Sequence, residues 1–179
     1  VYLRESPART RARVADQLSV AILLAMSSAI RLTMPGTLEY RPLAVRLVAE
    51  AARLVSGSER RDPRGADAHE IHHPFDTAVV SAFMEIFNNV AVHAYEREPG
   101  LIEIEVSFTP NHDELVIDVT DHGTPFDPRN VRPLPQELDD DSLPESGMGM
   151  HIATAMVDEL AYHPGPPNLW RMSKRAWRR

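Results

Sequence analysis

Three short stretches of this chain hold residue types whose spacing could do chemistry. Within Asp76–Tyr95, the residues Glu85, Asn89 and His93 recur at i, i+4 and i+8. At about 100° per residue each four-residue step drifts by only about 40°, so a helix would line them on one face. A carboxylate and a carboxamide one turn apart can share a hydrated cation. Mg²⁺ takes oxygen ligands and keeps several waters, so one Asn beside phosphates is enough. Glu85 could then take a proton from water or a hydroxyl. Spacing alone also fits, and more commonly, a solvated polar helix face.

The second stretch, Asp121-His122-Gly123, follows the apolar strand Leu115–Val119 and runs on to Pro128. An Asp at a strand end can accept a hydrogen bond from the amino group of a bound base. Gly123 would let the backbone come close. A plain Gly/Pro turn is the commoner use of such residues. The third stretch is Ser146-Gly147-Met148-Gly149-Met150, at the start of a predicted helix. Exposed N–H groups and the positive end of the helix dipole suit a polyphosphate there. The spacing is neither Gly-x-Gly-x-x-Gly nor Gly-x-x-x-x-Gly-Lys-Ser/Thr, so Rossmann and P-loop readings fail.

These stretches need elements to position them. Ile30–Met34 alternates like a short strand and Pro35-Gly36 breaks it. Glu39–Val55 has apolar residues at helical spacing, and Asp76–Tyr95 is the strongest helix, with a wide stripe from Val79 to Val90. Leu101–Thr109 and Glu114–Thr120 alternate around a turn at Pro110–Asp113, a hairpin pattern. Gly147–Leu160 reads as a helix and Leu169–Lys174 as a last strand. An antiparallel hairpin and strands clustered in the second half predict an α+β sandwich with helices on one sheet face.

Composition narrows the class. One domain fits 179 residues, with residues 1–28 as a basic helical extension of net charge +2. Zero cysteines exclude thiol nucleophiles, Cys-held metals and disulfides. A net charge of −7 argues against general nucleic-acid binding, and the basic stretch Arg171–Arg179 reads as a solvated terminus. Ser19–Ile30 is too short to span a membrane. Arginines 4, 9, 11 and 13 before Leu18–Met26 have the outline of a signal peptide, but an amphipathic helix accounts for the same residues.

In this order the three stretches are far more specific than any one alone. The chain resembles the GHKL (Bergerat) ATP-binding fold of gyrase B, histidine kinases and MutL. Within it, the chain is most similar to the small serine kinases that act as bacterial anti-sigma factors. Glu85–Tyr95 (EIFNNVAVHAY) resembles their N box, Asp121–Pro128 (DHGTPFDP) their first glycine box, and Ser146–Met150 (SGMGM) with Met156–Leu160 their second. Ile30–Val55 is similar to their first strand and helix. The likeness covers roughly residues 29–175, so residues 29–179 are taken as the ATP-binding, kinase-like domain.

The resemblance implies a two-layer α/β sandwich with a mixed, mostly antiparallel sheet and helices on one face. It implies Glu85 as general base, Asn89 as Mg²⁺ ligand and His93 beside the cofactor. Asp121 and Gly123 would take adenine, and Gly147, Met148, Gly149 and Met150 the phosphates, under a lid at Arg129–Ser146. It implies ATP and Mg²⁺ as cofactors and a cytoplasmic serine/threonine-protein kinase. Its partners would be an anti-anti-sigma protein of the STAS type and a sigma factor, without nucleic acid or membrane, and it allows a homodimer. Glu145 and Val92 stand where several relatives are basic, and the lid's net charge is −3 with its own Arg129 and Arg132 included, which leaves Arg97 outside it as a further compensating charge. A nucleotide-binding switch without catalysis is therefore the alternative. A chain starting at Val1 also fits a catalytic domain cut from a larger sensor protein. His69-Glu70-Ile71-His72-His73-Pro74 has the form of a phosphoacceptor box, but only ten residues separate Pro74 from Glu85, too few for a second helix. An exposed loop is the expectation there.

Overall fold

Strict alternation in the hairpin decides which face of the sheet is buried. In β2 (Leu101–Phe108) and β3 (Glu114–Asp121), residues Ile102, Ile104, Val106, Leu115, Ile117 and Val119 point one way and are at most 1% exposed. Glu103, Glu105 and Asp118 point the other way. The computed structural model describes residues 29–57, 73–95, 100–109, 111–127 and 148–176. Residues 1–28, the His69–His72 part of the histidine motif, Arg97, the lid Arg129–Ser146 and Gly147 lie outside them.

Three further strands complete the sheet: β1 (Ile30–Pro35), β4 (Glu159–His163) and β5 (Asn168–Arg175). The order is β1-β2-β3-β5-β4. All four pairings are antiparallel, so the sheet expected as mixed has no parallel pair among the described residues. The helices are α1 (Arg41–Ser56), α2 (Pro74–Asn89) and α3 (Gly149–Met156). They cover the apolar face in two layers, as expected for this α+β class. Phe83, Ile86 and Phe87 of α2 sit fully buried over the sheet. Truncating Phe83 to Ala would cost about 3–5 kcal/mol.

Local chemistry sets the helix limits. Helix α1 starts at Arg41, two residues later than its periodicity suggested, because Pro42 favours the first turn and has no N–H to lose. It ends at Gly57, whose φ of 67° is left-handed. Helix α2 starts two residues early: His73 Nδ1 accepts from Phe75 N at 3.3 Å and Pro74 follows as the first helical residue. That gives His73 and Pro74 a capping role in place of the expected loop.

Two expectations about the later elements are corrected. Asp76–Tyr95 is not one α-helix, since Val90–Ala94 forms a π-helical turn. The helix expected to reach Leu160 stops at Met156; Val157 is extended and Glu159–His163 is a strand. Helical spacing of Ala153, Met156, Val157 and Leu160 hid this strand. Tertiary pairing with β5 decided it, placing Leu160 opposite Met172 and Tyr162 opposite Trp170.

Candidate active site

The packing of α3 on α2 brings two of the three motif stretches together. A Cβ on Gly149 would overlap Glu85 Oε2, so a larger residue at the start of α3 would push the Glu85 carboxylate aside. One turn further along α2, Asn89 Nδ2 donates to Met150 Sδ at 3.0 Å. Glu85, Asn89, Met148 and Met150 are all half-buried. Neither the Glu85 carboxylate nor the Asn89 amide oxygen has a hydrogen-bond partner among the described residues. The neighbouring Asn88 turns away and accepts from Arg41 Nη1 at 2.9 Å, tying α1 to α2. Met148 precedes α3 without a side-chain cap, so the first-turn N–H groups of α3 have no intrahelical acceptor.

His93 does not join this group. Its alignment rested on the α-helical rotation per residue, and the wider π turn after Asn89 breaks that rule. It is exposed. The π turn has a different use. Ala94 O accepts from Thr124 N at 2.8 Å, and a Cβ on Gly123 would overlap that same carbonyl. Tyr95 adds a second tie: its hydroxyl donates to Leu101 O at 2.8 Å and accepts from His122 N at 3.0 Å. The loop after β3 is thus stapled to the end of the Glu85/Asn89 helix.

Asp121 ends β3 and is 2% exposed. Its Oδ1 accepts from Gly123 N at 2.8 Å and from Asn168 Nδ2 at 2.9 Å. Asn168 lies directly opposite on β5 and is 1% exposed. Its Nδ2 also donates to Gly123 O at 3.0 Å, while its Oδ1 accepts from Gly165 N at 3.1 Å and from Tyr162 Oη at 3.3 Å. Tyr162 Oη in turn accepts from Phe126 N at 2.7 Å. Phe126, Tyr162 and Trp170 stack with centroids 4.3–5.6 Å apart. Burial raises the pKa of Tyr95 and Tyr162; the N–H bonds each hydroxyl accepts oppose this and the Asp121 charge adds to it.

Of the residues singled out in the sequence, the structure sets Glu85 and Asn89 against Gly149 and Met150, and Asp121 against Gly123, while Gly147 lies outside the described residues. Sequence reading missed Asn168 and its aromatic neighbours. The signal was present: a polar residue at an inward position of the last strand, one residue before the segment taken as that strand.

A buried acceptor carboxylate at one end, and a carboxylate, an amide oxygen and a helix start at the other, suit an amino-bearing base and a metal-bound phosphate chain. Asp121 Oδ2 makes no hydrogen bond among the described residues and so can accept from a base. The Asn89 amide oxygen is the kind of neutral oxygen ligand that Mg²⁺ takes alongside waters and phosphates.

This arrangement is that of an ATPase domain of the histidine-kinase type. The chain belongs to the histidine kinase-like ATPase domain family, whose model matches residues 35–174. It is similar to the serine-protein kinase RsbW of Bacillus cereus (strain AH187), at 32% identity over 83 residues, covering 44% of this chain and 51% of that protein. RsbW of Bacillus anthracis (strain CDC 684 / NRRL 3495) is 31% identical over the same length. The chain spans about half the length of these curated relatives. Among solved structures it is similar to the histidine kinase domain of the Erythrobacter litoralis EL346 blue-light activated histidine kinase, at 18% identity and a TM-score of 0.46, covering 75% of this chain and 60% of that one. No helix among the described residues is long and apolar enough to cross a membrane.

Proposed function

We propose that the protein is a Mg·ATP-dependent serine/threonine-protein kinase of the cytoplasm. It would phosphorylate an anti-anti-sigma protein of the STAS type and hold a sigma factor until that partner competes. Residues 29–179 form its nucleotide-binding domain and residues 1–28 an extension. Family membership supports ATP binding, and the RsbW likeness supports serine as the acceptor. The observation that carries the reading is the contact of Glu85 and Asn89 with Gly149 and Met150.

Each residue has a distinct task. Asp121 accepts from the adenine amino group through Oδ2. Asn89 holds Mg²⁺ through its amide oxygen, and the first turn of α3, with Gly147, Met148, Gly149 and Met150, meets the phosphates. Mg²⁺ held there would supply positive charge to offset that of the phosphates. Glu85 accepts the proton of the attacking hydroxyl, its carboxylate oxygens having no donor among the described residues.

Incubating the chain with labelled ATP and a STAS-type partner tests this. Phosphoserine or phosphothreonine on the partner, lost in Glu85→Gln, is the expected result. Intact nucleotide binding with no transfer would favour the second reading, a binding switch. The −3 charge of Arg129–Ser146, which repels a triphosphate, is the observation that motivates it.

A further inference from the structure

One of the most completely bonded polar side chains among the described residues, Asn168, is one that the kinase reading does not use. Asn168 has two N–H donors and two acceptor lone pairs, and all are engaged. The donors go to Asp121 Oδ1 and Gly123 O, and the lone pairs take Gly165 N–H and Tyr162 O–H. This network fixes the orientation of the amide. A flipped Asn168 would set its oxygen against a carboxylate and a carbonyl, with its NH₂ facing two donors. The consequence falls on Asp121. With Gly123 N–H and Asn168 both on Oδ1, one oxygen of the carboxylate is consumed inside the protein. Only Oδ2 is left to accept from a base.

We propose that Asn168 is a positioning residue that sets base selectivity by reducing Asp121 to a single acceptor. The inference rests on the nucleotide reading above. A one-acceptor carboxylate is satisfied by the lone exocyclic amino group of a 6-aminopurine. Guanine offers adjacent N1–H and N2–H₂ donors, which a carboxylate meets best with both oxygens. With Oδ1 occupied, that two-point pairing is closed off. Asn168 touches no base itself; it acts through Asp121, and Tyr162 and Gly165 hold it in place.

Two β-branched replacements of the same shape separate positioning from packing. Asn168→Thr keeps a hydroxyl that can donate to Asp121, whereas Asn168→Val has no donor. Binding by calorimetry is compared for Mg·ATP, Mg·GTP and the Mg²⁺ complex of purine riboside triphosphate, which lacks the 6-amino group. The wild-type chain is expected to favour ATP over both others by about tenfold or more, the worth of a charge-assisted hydrogen bond. Asn168→Val, which takes the Asn168 donor off Oδ1, should lose most of the preference for ATP over GTP and keep its affinity for purine riboside triphosphate. Asn168→Thr should retain more of the preference. Equal losses for all three nucleotides in the Val variant, or an unchanged ATP preference in it, would overturn the role of Asn168 while leaving ATP binding intact. A wild-type chain that binds none of the three would overturn the nucleotide reading, and this inference with it. Circular dichroism of both variants identifies any that fail to fold. If Asn168→Val does, Tyr162→Phe, which removes one bond to Asn168, must shrink the ATP preference for the role to stand.

Discussion

The two ends of the site are built differently. At the Asp121 end, buried groups on two paired strands bond one another: Asp121 with Gly123 and Asn168, and Asn168 with Tyr162 and Gly165. At the Glu85 end, half-buried side chains on two helices meet through one N–H···S contact and a glycine. Buried polar groups are costly unless paired, so the first end must be complete within the protein. The second end is partly solvated and can leave oxygens unbonded at little cost. The Asp121 end is thus prebuilt, while the groups proposed for phosphate and proton handling make few bonds of their own among the described residues.

That contrast is open to test at both ends. Glu85→Gln should have the largest effect, cutting phosphotransfer by about 10²–10⁴-fold, the usual worth of a general base. Because the Glu85 carboxylate bonds nothing among the described residues, stability should move by no more than about 0.5 kcal/mol. A large fall in melting temperature would show that this end is structural after all. Gly123→Ala attacks the opposite end. Its Cβ would collide with the Ala94 backbone, which cannot swing aside. Overpacking of this kind costs about 1–3 kcal/mol, or roughly 2–10 °C in thermal melts. Wild-type stability would mean that the staple between the two ends is loose.

Smaller effects sharpen the comparison. Tyr95→Phe removes the bonds to His122 N and Leu101 O and should cost about 1–2 kcal/mol in urea denaturation. Burial, the largest cause, raises the pKa of Tyr95 above 10.0 in the folded state, as it does for Tyr162. A raised folded pKa favours the protonated form, so the contribution is full below pH 10 and lost as pH rises through the folded value. Stability should therefore fall above about pH 10, and less steeply in Tyr95→Phe. A steeper loss in the variant would contradict the assignment. Arg171→Ala should do least. Arg171 pairs with Asp118 at 2.8 and 2.6 Å, but on the exposed face of the sheet. Surface pairs are worth about 0–1 kcal/mol, and nucleotide affinity should be unchanged by calorimetry.

The Glu85 end was legible in the sequence because its residues lie at helical spacing and in short motifs. The hairpin was legible because β2 and β3 alternate without interruption. What could not be read depended on partners distant in the chain. Asn168 is a lone polar residue until β5 pairs with β3 and sets it opposite Asp121, 47 residues away. Glu159–His163 keeps helical spacing on paper and becomes a strand only because β5 offers it an edge. His93 was misplaced because no residue type announces a π turn.

The most direct test of the central claim is the melting temperature with ATP, with and without Mg²⁺, for the wild-type chain and Asn89→Ala. Ligand at a hundred times its Kd adds about 2.7 kcal/mol, or roughly 5–10 °C for a chain of this size. The account predicts a rise of that order in the wild type that needs Mg²⁺ and is absent in Asn89→Ala. No rise at millimolar ATP, or an equal rise in both proteins, would contradict it.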